Sequence, residues 1–427
     1  MPAKNRLLSF SIFGERMTVV FLLYIISAVL TFFTSSTLLI VLLKNRKHLF
    51  YDPKPTAKPK VSICIPVWNK ENTVVKVIKN VLNLNYKDLE VIVVNDGSTD
   101  KSLEKIKKFI KKEKPKNLIL INRKKNSGGF KSIPLNDALK VAKGEIFGFI
   151  DADTFIAKRD ALSNIIGYFN DENVAAVVPS QRVLKPKNLL QRLQRIEYII
   201  AALSRKTLTF LNSLYLTPGC AFFRRDLLLK LGGFDEKNRA EDLEMGLRLQ
   251  KHGYNIQSTL NGFVYTIVPS TLKDLIRQRI RWNQGLIHNL KKYREMFFEK
   301  SNMGVFVFPF ILFGGTLIIF LYLTLLTFYI YDIVHNLWLF LNGFILSGYD
   351  TYLLSFKPKI EINIFFITSV FFSTLSLFSI YFSRKFKKLK LKNIIIDVIL
   401  FLILYTPLLG IIWIFTIIEE LRGREKW

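Results

Sequence analysis

Residues 61–100 read VSICIPVWNKENTVVKVIKNVLNLNYKDLEVIVVNDGSTD, and their pattern decides the fold class. The opening run VSICIPV and the later run LEVIVVND (89–96) are rich in β-branched residues and almost continuously apolar. A strand with one wet face alternates; an unbroken apolar run belongs to a strand covered on both faces. Between the two runs, apolar residues recur at helical spacing through KENTVVKVIKNVLNL. Strand, helix and strand in that order make a βαβ unit with parallel strands. Working outward, NLILIN (117–122) reads as a third strand and GEIFGFIDAD (144–153) as a fourth. The repeated alternation predicts an α/β domain on a mostly parallel central sheet. In such sheets ligands sit beyond the carboxyl ends of the strands. The polar residues at those ends are therefore the candidates for function.

The rest of the chain is of a different character. Half of its 427 residues are hydrophobic, 37 of them Phe. Four uncharged stretches reach the ~20 residues that a bilayer crossing needs: Met17–Leu43, 303–331, 362–383 and 398–418. The predicted organisation is an N-terminal transmembrane anchor (1–46), a globular domain (47–285), an interfacial amphipathic helix (286–302) and a C-terminal transmembrane region (303–427). The first stretch is long and has no small-residue cleavage site, so it reads as a retained anchor. Lysines and arginines at 44–60 and in SRKFKKLKLKN (383–393) mark cytoplasmic segments. Both fall on one side if 333–360 is an extracytoplasmic connection, which gives four spans and a cytoplasmic globular domain. The expected location is the cell membrane, multi-pass. The net charge of +29 is spread over the domain and concentrated beside the spans, which suits anionic lipid headgroups. No nucleic-acid motif accompanies it, so nucleic acid is not an expected partner. Cys64 and Cys220 lack spaced partners, which argues against disulfides and zinc.

Three polar strand ends should converge on one crevice: PVWNKE after the first, NDGSTD after the second and DADT after the fourth. Asp96, before Gly97, can accept hydrogen bonds from a base or ribose. Asp151 and Asp153 are one residue apart, so in an extended segment both would face the same way. Two such carboxylates suit Mg²⁺ or Mn²⁺ bridging substrate phosphates, although a lone D-x-D is more often a loop or a helix cap. NSGGFKSIPLNDAL (126–139) offers backbone N–H groups and Lys131 to an anion; such a stretch is also an ordinary turn. Glu241 and Asp242 open a helix in RAEDLEMGLRLQKHGY (239–254), where acids also complement the helix dipole. QRIRW (278–282) places cations and an indole shortly before an apolar stretch.

In this order and spacing, NDGSTD, DADT, AEDLEMGLRL and QRIRW resemble the motifs of family 2 inverting glycosyltransferases. The likeness is to their membrane-bound processive synthases of cellulose, chitin, hyaluronan and poly-N-acetylglucosamine. It runs from Lys60 to about Gly285. It implies a GT-A nucleotide-sugar-binding domain inserted between α-helical transmembrane segments. It further implies that Asp96 contacts the uracil and that Lys131, Asn136 and Glu241 line the substrate site. Asp151 and Asp153 would hold the phosphates and the metal, Mg²⁺ or Mn²⁺. Asp242 would be the catalytic base. Gln278, Arg281 and Trp282 match QxxRW, with Arg281 on the pyrophosphate and Trp282 under the acceptor sugar. The sequence departs from the family pattern at Asn95, Phe130, Ala240 and Ile267. The implied reaction moves N-acetylglucosamine or glucose from a UDP-sugar onto a growing β-linked polysaccharide, with export. The alternative is transfer of a single sugar to a lipid acceptor, as in ceramide glucosyltransferases, which share QxxRW. The expected partners are the UDP-sugar donor, a polysaccharide or glycolipid acceptor, and membrane lipid.

Overall fold

The computed structural model describes residues 36–299, 301–307 and 391–423, with isolated positions at 26–33, 309 and 333–341. From β1 (Val61–Val67) the chain alternates through α1 (Val74–Leu82), β2 (Leu89–Asp96), α2 (Ser102–Glu113), β3 (Leu118–Arg123), α3 (Ser132–Val141) and β4 (Ile146–Ile150). The four strands expected from the apolar runs are all present. β1 pairs in parallel with β2 and with β4, and β2 with β3. Every residue of β2 is buried, as its unbroken apolar run requires. Val74, Val77, Ile78 and Val81 form the buried stripe of α1, at the helical spacing seen in the sequence.

The remaining strands were not legible from the same pattern. β5 (Thr154–Ile156) is followed by α4 (Ala161–Ile166), β6 (Val174–Val183) and α5 (Leu189–Phe210). Then come β7 (Cys220–Arg224), α6 (Arg225–Lys230), α7 (Glu241–Lys251), β8 (Asn255–Thr266) and α8 (Leu272–Lys292). Among the described residues the sheet has eight strands in the order β3-β2-β1-β4-β7-β6-β8-β5. β4–β7, β6–β7 and β5–β8 are antiparallel, so the second half of the sheet is mixed. Apolar layers cover both faces. Ile63, Ile65, Val91 and Val93 pack on α1 and α2. Cys64, Ile92, Val94, Phe147 and Phe149 pack on α3 and α7 on the other side. Each fully buried Val or Ile contributes roughly 1.5–3 kcal/mol relative to exposure.

Residues 394–421 form one helix of 28 residues, an 18-residue stretch of which has a mean hydropathy of 2.6. At ~1.5 Å per residue it exceeds the ~30 Å of a bilayer core. It is the one helix among the described residues long and apolar enough to cross a membrane. It runs from within α9 (Leu391–Leu400) through a π turn (Phe401–Tyr405) to the end of α10 (Thr406–Leu421). The stretch expected at 398–418 lies within it. The other three, 17–43, 303–331 and 362–383, fall wholly or mainly outside the described residues. One side of the helix exposes Ile395, Ile399, Ile403, Ile411 and Phe415. The other side docks on the globular domain: Ile394 and Val398 on Ile196 of α5, and Tyr405 between Leu193 and Leu275. The fully buried Asp397 pairs with Arg192 and, at 2.8 Å, with Arg195.

Candidate active site

The site lies at the carboxyl ends of β1, β2 and β4, closed by the starts of α3 and α7 and by the middle of α8. Its centre is Lys131, which immediately precedes α3. The Lys131 ammonium is 2.5 Å from Asp151 and 3.5 Å from Glu241, and it sits 4.5 Å from the Phe149 ring centroid. Burial disfavours its charge, but Asp151, Glu241 and Asp242 together outweigh that and push the lysine above its ordinary range.

Glu241 and Asp242 occupy the first turn of α7. Burial pushes the Glu241 carboxyl up to about 7, against the pull of Lys131. Burial also raises Asp242 above the ordinary aspartate range; Lys131 and Arg281 pull it down without cancelling the effect. The Asp242 carboxylate accepts a hydrogen bond from the Leu243 amide at 2.8 Å, while the Thr217 hydroxyl donates to the Asp242 carbonyl at 2.6 Å. The helix start is thus fixed from outside. Arg281 is exposed and makes no ion pair or hydrogen bond among the described residues, although its charge bears on Asp242.

α8 reaches this point because its first turn is capped. The Thr271 hydroxyl accepts from the Asp274 amide. The helix then passes close to the start of α7 at Gly285, where a Cβ would lie 2.5 Å from the Ala240 Cβ. The departure from the family pattern at Ala240 and the glycine at 285 are therefore a matched pair of small residues. α8 continues unbroken from Leu272 to Lys292, across the expected domain boundary after residue 285.

The structure alters one expectation about DADT. Residues 151–153 are not extended; they turn between β4 and β5, and the Thr154 amide donates to the Asp151 carbonyl at 2.9 Å. The two carboxylates consequently face different lysines: Asp151 meets Lys131, and Asp153 meets Lys70 at 2.6 Å. Two acidic oxygen donors beside a cleft suit a hard divalent cation. No group of three His, Cys, Asp or Glu side chains is gathered for one among the described residues. The donor set fits a Mg²⁺ or Mn²⁺ that takes most of its ligands from phosphate and water, and does not fit a closed protein cage.

The other expected residues are more occupied. Asp96 accepts from Arg123 Nε at 2.9 Å, from the Ser127 amide at 3.1 Å and from the Ser127 hydroxyl at 2.5 Å. It holds the loop after β3. Gly97, at φ +62°, permits that turn, and a Cβ there would fall on the Asn126 backbone. The Asn136 amide donates to the Phe234 carbonyl and to Glu236, each at 2.9 Å, tying α3 to the segment before α7. Gln278 accepts from Arg279 at 3.0 Å, and Trp282 is 43% exposed. Lys70 and Trp68, within the strand end PVWNKE, and Glu197 belong to this region, and the sequence reading gave none of the three an individual role or partner. Trp68 directly follows β1 and is 53% exposed. Lys70 finds Asp153 across 83 residues, and Glu197 finds Arg279 across 82. No local pattern announces pairings of that range.

A mixed sheet with parallel βαβ units at its start, carrying acids at its strand ends, defines a GT-A-like nucleotide-sugar fold. Residues 62–232 match the model of the family described as glycosyl transferase family 2. It is 35% identical over 248 residues to a probable glycosyltransferase, YdaM, of Bacillus subtilis, covering 56% of this chain and 58% of that one. It is 28% identical over 228 residues to a poly-β-1,6-N-acetyl-D-glucosamine synthase of Staphylococcus aureus, covering 53% and 54% respectively. The chain thus spans little more than half the length of these relatives. Its fold is shared by a mannosyltransferase of Pyrobaculum calidifontis solved with GDP-mannose and Mn²⁺. The TM-score is 0.59 at 23% identity, over 78% of this chain and 94% of that one.

Proposed function

We propose that the chain is an inverting glycosyltransferase of the cell membrane. It moves N-acetylglucosamine or glucose from a UDP-sugar onto a growing β-linked polysaccharide and passes the product across the membrane. The observation that carries this reading is the half-buried Lys131, which pairs with Asp151 after β4 and with Glu241 at the start of α7 and whose charge bears on Asp242. The likeness to a poly-N-acetylglucosamine synthase supports the donor and the polymer. The apolar helix 394–421, docked on α5 and α8, supports the membrane location.

In this mechanism Asp242 takes the proton of the acceptor hydroxyl as its oxygen attacks the anomeric carbon. The bond from that carbon to UDP breaks, and negative charge grows on the β-phosphate. Arg281 neutralises it with a planar, permanently charged fork. Asp151 and Asp153 would hold a divalent cation, which would supply further neutralisation of the diphosphate. Lys131 keeps Asp151 and Glu241 together beside Asp242 in one cleft. Glu241, with its carboxyl near pH 7, can bind a sugar hydroxyl as acceptor or donor. Trp68 and the loop held by Asp96 border the base. Trp282 offers its indole face to the C–H surface of the acceptor sugar, and Gln278 lies beside it.

The test is a panel of UDP-N-acetylglucosamine, UDP-glucose and GDP-mannose with purified, metal-supplemented protein. Product length is read after linkage-specific hydrolases. A β-linked polymer from one UDP-sugar is the expected result. A single-sugar glycolipid would replace the polysaccharide acceptor with a lipid. Turnover of GDP-mannose alone would overturn the donor. Asp242→Asn is expected to abolish turnover while leaving UDP binding nearly intact, and Asp153→Ala to weaken metal-dependent UDP binding.

A further inference from the structure

Between Gln278 and Trp282 lies an arginine to which the reading above gives no role. Arg279 is 4% exposed, so its charge has been taken out of water and must be answered locally. Four contacts answer it. Nη2 donates to Glu197 of α5 at 2.6 Å and lies 3.3 Å from the Tyr405 hydroxyl. Nη1 donates to Gln278 at 3.0 Å. The guanidinium carbon stands 4.1 Å from the Trp282 ring centroid. Tyr405 closes the circuit by donating to Glu197 at 2.8 Å. Tyr405 is 1% exposed and ends the π turn that interrupts the apolar helix. A π turn adds a residue to one helical turn, and such turns recur at functional sites. Here it faces a hydroxyl inward, from a surface otherwise made of Leu400, Phe401, Leu408 and Leu409.

We propose that Arg279 is a positioning residue for the acceptor, the clamp by which α5 and the apolar helix fix the working face of Trp282. The inference rests on the reading of Trp282 as the acceptor platform. The guanidinium covers one face of the indole and is itself immobilised by Glu197 and Tyr405. The other face is left to the sugar, in one orientation. The same fork holds the Gln278 amide oxygen, so two members of QxxRW are set by one cation. Lysine lacks both the plane and the fork. The apolar helix is thereby part of the acceptor site, because one of its hydroxyls completes the clamp.

The experiment uses full-length protein in membranes, with the UDP-sugar identified by the donor panel. It measures sugar incorporated into product against free sugar released by hydrolysis. Arg279→Lys keeps the charge facing Glu197 and loses the stacking. It is expected to lower the transfer-to-hydrolysis ratio about fivefold, the loss of one cation–π contact, with the donor KM unchanged. Tyr405→Phe should move the ratio the same way by less. Trp282 emission, taken as the difference from Trp282→Phe, should shift to longer wavelength in Arg279→Lys. The Arg279→Lys/Trp282→Ala double variant should be no worse than Trp282→Ala. An unchanged ratio and unchanged emission in Arg279→Lys, while Trp282→Ala lowers the ratio, overturns the clamp alone. Equal loss of transfer and hydrolysis with a lower Tm makes Arg279 merely structural and overturns it too. An unchanged ratio in Trp282→Ala overturns the platform, and the clamp with it.

Discussion

At the scale of single residues, the site works by setting charges against burial. Asp242 is surrounded by Lys131 before α3, Asp151 in the turn after β4, its neighbour Glu241, and Arg281 on α8. Burial raises its pKa and the two cations lower it. A base must be ionised to accept a proton, so turnover should rise with pH through that raised pKa. The acidic limb of kcat against pH is therefore expected above the ~4 of an ordinary aspartate. Arg281→Gln removes one of the cations and should move the limb further up while lowering kcat. A limb at ~4, unmoved in the variant, would assign the base elsewhere. For stability the sign is the opposite. A carboxyl whose folded pKa lies above its unfolded value penalises folding once it ionises. Glu241, raised from 4.5 to about 7, therefore contributes a penalty that is absent below pH 4.5 and complete above 7. Glu241→Gln should flatten the loss of thermal stability across that window, read as Tm against pH.

At the scale of elements, two contacts decide whether the site exists. The first is the Ala240–Gly285 approach, which lets α8 lie against the start of α7. Gly285→Val would wedge the helices apart and cost about 1–3 kcal/mol of overpacking. It should lose transfer before it loses UDP binding, because Arg281 and Trp282 move and the strand ends do not. The second is Asp397 with Arg192 and Arg195, between the apolar helix and α5. Asp397→Asn leaves the partly buried Arg195 without its anion and should cost about 3 kcal/mol, seen as a lower unfolding midpoint in detergent. How much of this the sequence disclosed follows from the range of each interaction. β1 to β4 were legible because strands covered on both faces have unbroken apolar runs. β8 was not: Ser258, Thr259 and Gly262 occupy inward positions and dilute its pattern. The acids of DADT and α7 were legible by motif. Lys131 was legible too, but its pairing with Asp151, that of Lys70 with Asp153 and that of Arg279 with Glu197 were not, since only the folded chain brings them together.

At the scale of the whole molecule, the cleft and the apolar helix are joined through α8, whose one side carries Trp282 and whose other meets α10. Asn283 is 3.3 Å from Thr416, and Lys291 is 2.9 Å from Glu420. An acceptor leaving Trp282 would therefore meet the helix that crosses the membrane in the four-span reading. That reading puts 333–360 outside the cell and the lysine-rich 383–393 inside it. The chain is suited to a direct test. Its two cysteines, Cys64 and Cys220, are free and buried, and burial pushes both thiols up, away from the reactive thiolate. They give a silent background to maleimides. Ser347→Cys and Lys388→Cys then report the two sides separately. With a membrane-impermeant maleimide on intact cells, Ser347→Cys should label and Lys388→Cys should not; after lysis both should label. Labelling of Lys388→Cys on intact cells would put the basic loop outside. The catalytic domain would then lie on the side away from its nucleotide-sugar, or the number of spans would differ from four.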